Sequence, residues 1–111
     1  MELTTMKCIA CEGDMPPLCA VEATILLKQI PTWSLAPDYK SISRNFTFKN
    51  FAEALVFVNK VGAIAESEGH HPDMALSWGK VGIMLTTHAV DGLSNNDFIL
   101  AAKIDVILRL V

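Results

Sequence analysis

Hydrophobic positions along this chain switch between a helical and a strand rhythm, and the switches coincide with residues that stop one element or start the next. From Leu18 to Ile30, Ala23, Leu26, Leu27 and Ile30 recur at helical spacing, and Pro31 ends the run. Trp33 to Ala36 reads as a short strand, Pro37-Asp38 as a turn, and Ser41 to Phe48 as a longer strand. In that strand Ile42, Phe46 and Phe48 face one way with Arg44 among them, and Ser41, Ser43, Asn45 and Thr47 face the other, so the hairpin has one wet side. Asn50 with Glu53 is an N-cap pair, and Phe51, Leu55, Val58, Gly62 and Ala65 continue down one side of a central helix. Gly69 closes it, because a residue without Cβ suits a left-handed cap. Met74 to Trp78 and Lys80 to His88 predict a second hairpin around Gly79, with Val81, Ile83, Leu85 and Thr87 alternating against Gly82, Met84, Thr86 and His88. Ser94 and Asp97 form another capping pair, and a last helix runs to Val111. The order α-β-β-α-β-β-α predicts an α+β fold, a four-stranded antiparallel sheet with three helices packed on one face.

Composition narrows the class. A chain of 111 residues makes one domain, expected at residues 18–111 behind a leader of residues 1–17. Apolar residues make up 51% and charged residues 19%, which is ample for a core and excludes intrinsic disorder. The net charge is −3 with no run of like charges, so neither nucleic acid nor a membrane surface is expected as a partner. The longest stretch free of charge, Val81 to Val90, falls far short of the roughly 18 to 20 residues a membrane span requires. Met1-Glu2-Leu3 carries no basic region leading into an apolar run, so the cytoplasm is the expected location. The last helix has only Lys103, Asp105 and Arg109 as polar residues after its cap, more apolar surface than one small sheet covers. A homo-oligomer is expected, through this helix or an open sheet edge.

Cys8, Cys11 and Cys19 all lie near the amino terminus and are odd in number, so they cannot staple the body of the domain. Cys8 and Cys11 have the spacing of half a zinc site, but no second close pair follows, and no metal is expected.

The three histidines, His70, His71 and His88, carry the most chemical information. Pro72 drives His71 into extended backbone, so His70 and His71 project in diverging directions and suit two walls of one cleft. Imidazoles exchange protons near neutral pH without help from a cofactor. A plainer reading stays open, in which His-His-Pro at a helix exit satisfies the last helical carbonyls. Asp97 is explained as a cap, Glu66 as a solvated charge one turn before His70, Trp33 and Trp78 as core aromatics, and Thr86 and Thr87 as ordinary strand residues.

The spacing Glu66, His70-His71-Pro72, Trp78, His88, Asp97 resembles the signature of the pterin-4a-carbinolamine dehydratases. Pro31-Thr32-Trp33-Ser34-Leu35, Phe46 to Phe51, Thr87-His88 and Gly92-Leu93-Ser94 have counterparts there too. The resemblance implies dimers or tetramers that dehydrate 4a-hydroxytetrahydropterin to the quinonoid dihydropterin, recycling the cofactor of aromatic amino-acid hydroxylases and needing no cofactor themselves. Carried over, His71 corresponds to the base and His70 and His88 to acids on the two faces of the hydroxyl. Glu66, Gly69, Thr86, Thr87, Trp33 and Asp97 fall at positions expected to bind substrate. Gly69 stands where animal members carry a polar residue and Gly82 where they carry a bulkier one, which suggests a roomier pocket. Two competing readings remain. Animal members also serve as dimerisation cofactors of a homeodomain transcription factor, and a small metal hydrolase would use the histidines as ligands, although it would want a His-x-x-x-His pair.

Overall fold

The computed structural model describes residues 2–8 and 16–110. After a 3-10 turn at Leu3–Thr5, the elements are α1 (Ala20–Leu27), β1 (Ser34–Leu35), β2 (Ile42–Thr47), α2 (Phe51–Glu68), β3 (Asp73–Ser77) and β4 (Lys80–Leu85). A second 3-10 turn, His88–Val90, leads into α3 (Asn95–Leu110). The four strands are antiparallel, as expected, and lie in the order β1-β2-β4-β3. Ile42 pairs with Leu85, Arg44 with Ile83 and Phe46 with Val81, so the apolar positions of the two central strands share one face. That face is buried under the helices, while Ser43, Asn45, Thr47 and Met84 on the other face are exposed.

The capping residues act largely as their types require. Asn50 Oδ1 accepts the Glu53 N–H at 2.9 Å, but the Glu53 carboxylate takes the N–H of Lys49 rather than that of Asn50. Gly69 closes α2 with φ +66°. At α1 the helix is shorter than the apolar run: Cys19 is its N-cap, with its N–H given to Glu22 Oε1 at 3.0 Å, and tight turns carry the chain from Lys28 to Ile30.

Several expectations are corrected. The stripe of α2 that faces the core is Ala54, Phe57, Val61 and Ala65, whereas Phe51 and Leu55 remain 44% and 40% exposed. Both stripes are apolar, and the rotation follows Phe57, whose ring sits 4.8 Å from that of Phe46 and 5.0 Å from that of Phe48. Burying such a ring contributes about 1.5–3 kcal/mol. Secondly, β4 stops at Leu85. Thr87 pairs with Gly92 in both directions, which folds the residues between them into the 3-10 turn that carries His88.

Thirdly, α3 is covered within the chain itself. Its residues 96–102, Ile104 and Ile107 are buried. Leu3, only 1% exposed, belongs to the core that includes them, and the turn around it lies against α3. Most of the apolar circumference of α3 therefore gives no argument for self-association, although Leu110 at its end is exposed. Other exposed apolar side chains lie on α2, at Phe51, Leu55 and Val56, on α1, at Val21 and Ile25, and on the sheet, at Met74 and Met84, while Trp78, expected in the core, is 70% exposed. No helix among the described residues is long and apolar enough to cross a membrane.

Arg44, on the inner face of β2, lies 4.6 Å over the Phe46 ring and bonds Asp105 of α3 at 2.7 Å. A second ion pair joins the helices: Lys103 of α3 bonds Glu68, the last residue of α2, at 2.8 Å, with side chains only 15% and 12% exposed. The Lys103 ammonium, followed by the Cys8 N–H, holds the Glu68 carboxyl below its ordinary value of 4.5. Because the folded-state value is the lower one, this stabilisation is present above pH 4.5 and is lost as pH falls through the lowered value. Thermal unfolding across that window will show the melting temperature dropping with acid, and Glu68→Gln will flatten that part of the profile.

Candidate functional site

At the end of α2 the left-handed Gly69 turns the chain so that the His70 N–H reaches back to the Ala65 carbonyl at 3.3 Å. The two following imidazoles then part. His70 Nε2 meets Asp97 Oδ1 of α3 at 2.6 Å, and His71 Nε2 meets Glu66 Oε1 of α2 at 3.3 Å. The divergence expected from Pro72 is present, with a different carboxylate at the end of each ring.

The two pairs differ in setting. The His70 side chain is 12% exposed and Asp97 is wholly buried, whereas His71 is 60% exposed on a Glu66 that is itself largely in water. Asp97 Oδ2 also accepts the Thr87 hydroxyl at 2.7 Å and the Ser94 N–H at 3.0 Å. The Thr87 hydroxyl has one proton, given to Asp97, so in its 2.8 Å contact with Ser94 the serine is the donor. Ser94 gives its N–H to the acid three residues on, as the expected capping pair requires, and the same acid simultaneously holds a histidine. With Nε2 engaged, Nδ1 is the ring nitrogen of His70 left for a ligand.

A cleft of about 380 Å³ opens between these elements, lined by Gly69, His70, His71, Thr86, Thr87, His88, Ala89 and Asn96. All three histidines therefore reach one cavity. Thr86 gives its hydroxyl proton to the Lys40 carbonyl at 2.6 Å and lies 3.3 Å from the Gly92 carbonyl. Each of these carbonyls directly follows a non-glycine residue in left-handed backbone, Tyr39 at φ 60° and Asp91 at φ 52°. Among the described residues no group of three or more His, Cys, Asp or Glu side chains is placed to hold a metal ion.

Four residues fall outside the expected placement. Trp33 is 3% exposed and gives its indole N–H to Asp105 at 2.9 Å, so it belongs to the core and not to the cleft wall. Asp97 has no surface to offer a ligand and lies behind His70, to which it is bonded. Glu66 is not part of the lining and reaches the cleft only through His71. Gly82 lies on the exposed face of the sheet, where a Cβ would stand 3.1 Å from Asn45 Oδ1, so it does not enlarge the histidine cleft. Asn96 and Ala89 line the cleft without having been foreseen. The sequence signal for Asn96 is slight, a second asparagine in a polar run just before an apolar helix.

Residues 16–107 match the family described as pterin 4 alpha carbinolamine dehydratase. The chain belongs to this family. Proteins named "Putative pterin-4-alpha-carbinolamine dehydratase" resemble it over nearly their whole length. That of Methylococcus capsulatus is 48% identical, covering 93% of this chain and 90% of the relative. That of Halorhodospira halophila is 46% identical, covering 96% and 98%. Among solved structures, the transcriptional coactivator/pterin dehydratase from Brucella melitensis superposes with a TM-score of 0.78 at 28% identity, over 82% of this chain and 97% of its own. A pterin dehydratase-like protein described as a RuBisCO assembly factor in the alpha-carboxysome shares the fold, with a TM-score of 0.60 at 21% identity over 68% and 88% of the two chains. The dehydratase family thus accounts for the α+β architecture that places the three histidines.

Removing the Asp97 carboxylate leaves the Thr87 hydroxyl, the Ser94 N–H and the His70 ring without their acceptor. Asp97→Ala is expected to lower unfolding free energy by about 2–3 kcal/mol in urea titrations.

Proposed function

We propose that this chain dehydrates 4a-hydroxytetrahydropterin to the quinonoid dihydropterin, using histidines as acids and base. The observation that carries the reading is the convergence of His70, His71 and His88 on one cleft in a chain of the dehydratase family. Its size, about 380 Å³, suits a small bicyclic ligand, since such sites usually span about 300–1,000 Å³.

In the reaction the bond from C4a to oxygen breaks and the hydroxyl leaves as water after receiving a proton. The neighbouring ring nitrogen releases its own proton, and that electron pair forms the new double bond to C4a. One proton is given and one taken, so no cofactor is needed to balance the step. His71 is the base, free to move on its exposed and loosely held ring; His70 and His88 are the acids serving the two faces of the hydroxyl. His70 delivers from Nδ1, while Asp97 on Nε2 steadies the ring and any charge it carries. The backbone of residues 69–71 and 86–88 binds the amide and amino edge of the pterin. Trp33, buried away from the cleft, has no part in this. The same reading makes the step a cytoplasmic recycling of the pterin used by aromatic amino-acid hydroxylases.

Each acid or base typically contributes about 10²- to 10⁴-fold. His71→Ala should therefore lower turnover by about that factor when loss of freshly generated 4a-hydroxytetrahydropterin is followed by ultraviolet absorbance. Near-native turnover in that variant would remove His71 from the role of base.

Self-association is part of the proposal, now supported by the exposed row Phe51, Leu55 and Val56 on α2 and by the open edge of β3. Sedimentation at micromolar concentration is expected to give a dimer or tetramer, and Leu55→Glu to shift it toward monomer; a wild-type monomer would refute the assembly.

A further inference from the structure

Residues 2–8 precede the part of the chain that matches the family, yet Leu3, Met6 and Cys8 among them pack into the core or against it. Leu3 anchors one end of this strap in the core, and its N–H donates to Gln29 Oε1 at 3.2 Å. Cys8, at the other end, meets two elements at once. Its N–H donates to Glu68 Oε1 at 2.8 Å, and its thiol donates to the Asn96 carbonyl with sulfur 3.6 Å away.

Those two partners flank the histidine pair. Glu68 is the last residue of α2 and is followed directly by Gly69-His70-His71. Asn96 lies in the first turn of α3, beside Asp97, and lines the cleft. The position of Glu68 is unfavourable for the helix alone, because a carboxylate at a helix C-terminus faces the negative end of the dipole. Here it is enclosed as well, and two donors from outside the helix compensate: Cys8 on one oxygen and Lys103 on the other. A carboxylate so placed serves to hold the end of α2 against α3, and the 2.6 Å contact between His70 and Asp97 spans that same junction. Such a contact survives only if the two elements keep their spacing to within a few tenths of an ångström.

We infer that Cys8 is a positioning residue for the histidine cleft, tying the last residue of α2 to the first turn of α3 and thereby keeping His70 on Asp97. The inference rests on the reading of that cleft as the catalytic site. Burial, and then the nearby Glu68 charge, push the Cys8 thiol up to about 12, so it keeps its proton and stays a donor at neutral pH.

The test compares Cys8→Ala, Cys8→Val and Cys8→Ser in the full chain. Valine keeps the packing volume and removes the donor, so it carries the test should alanine fail to fold; serine restores a donor. Two readouts are used: the downfield proton resonance of the His70 ring N–H bonded to Asp97, and the separate kcat and KM for 4a-hydroxytetrahydropterin. Cys8→Ala and Cys8→Val are expected to broaden or lose the resonance and to lower kcat about tenfold with KM changed less than twofold, the scale set by a small misplacement of a catalytic group. Cys8→Ser is expected to recover both. A folded Cys8→Val protein with the resonance and kcat of the wild type overturns the inference. The resonance does not depend on turnover, so its loss in Cys8→Val supports the tether even if the wild type fails to dehydrate the pterin, an outcome that would count against the proposed reaction alone.

Discussion

A carboxylate shut off from solvent has to find its donors inside the protein, and Asp97 finds them on three separate stretches of chain. His70 comes from the end of α2, Thr87 from just beyond β4, and Ser94 from the approach to α3. An unpaired buried carboxylate would cost several kcal/mol, so these segments are bound to one another by the charge they share. The cleft is what remains between them. His70 and Thr87, which hydrogen-bond Asp97, stand in its walls with the residues on either side of them. Stability and the geometry of the site consequently rest on one side chain, and a substitution there disturbs both.

The sheet was legible because its information is local. Alternation in Ile42 to Phe48 and in Lys80 to Leu85 states which residues share a face, and Gly79 and Gly69 mark the turns by what a side chain could not do there. At Gly79 a Cβ would come within 2.9 Å of the Phe48 carbonyl oxygen. The rotation of α2 was not legible, since Phe51 and Leu55 are as apolar as Phe57 and only the aromatic partners on β2 and just after it choose between them. Nor was the covering of α3, to which the turn at Leu3–Thr5, at the other end of the chain, contributes beside α2.

The site divides along the same line. That His70 and His71 would part was readable from Pro72, and the return of His88 was readable from the spacing of the family signature. Which carboxylate each ring would meet was not, because Asp97 lies 27 residues from His70 and its capping role already explained it. Trp33 shows the converse: its position in a familiar segment suggested a ligand contact, but Asp105 on a distant helix satisfies the indole in the core. Long-range polar partners decide these assignments, and periodicity carries no record of them.

Thr86 shows how the far wall is held. The two carbonyls around its hydroxyl belong to Lys40 and Gly92, and the residue before each is a tyrosine or an aspartate in backbone that L-amino acids enter at a cost of about 1–2 kcal/mol. The fold tolerates unfavourable torsion at both sides of one threonine. Glycine at positions 39 and 91 would relieve that torsion and, by freeing the backbone just before those carbonyls, exchange a firm wall for a slacker one.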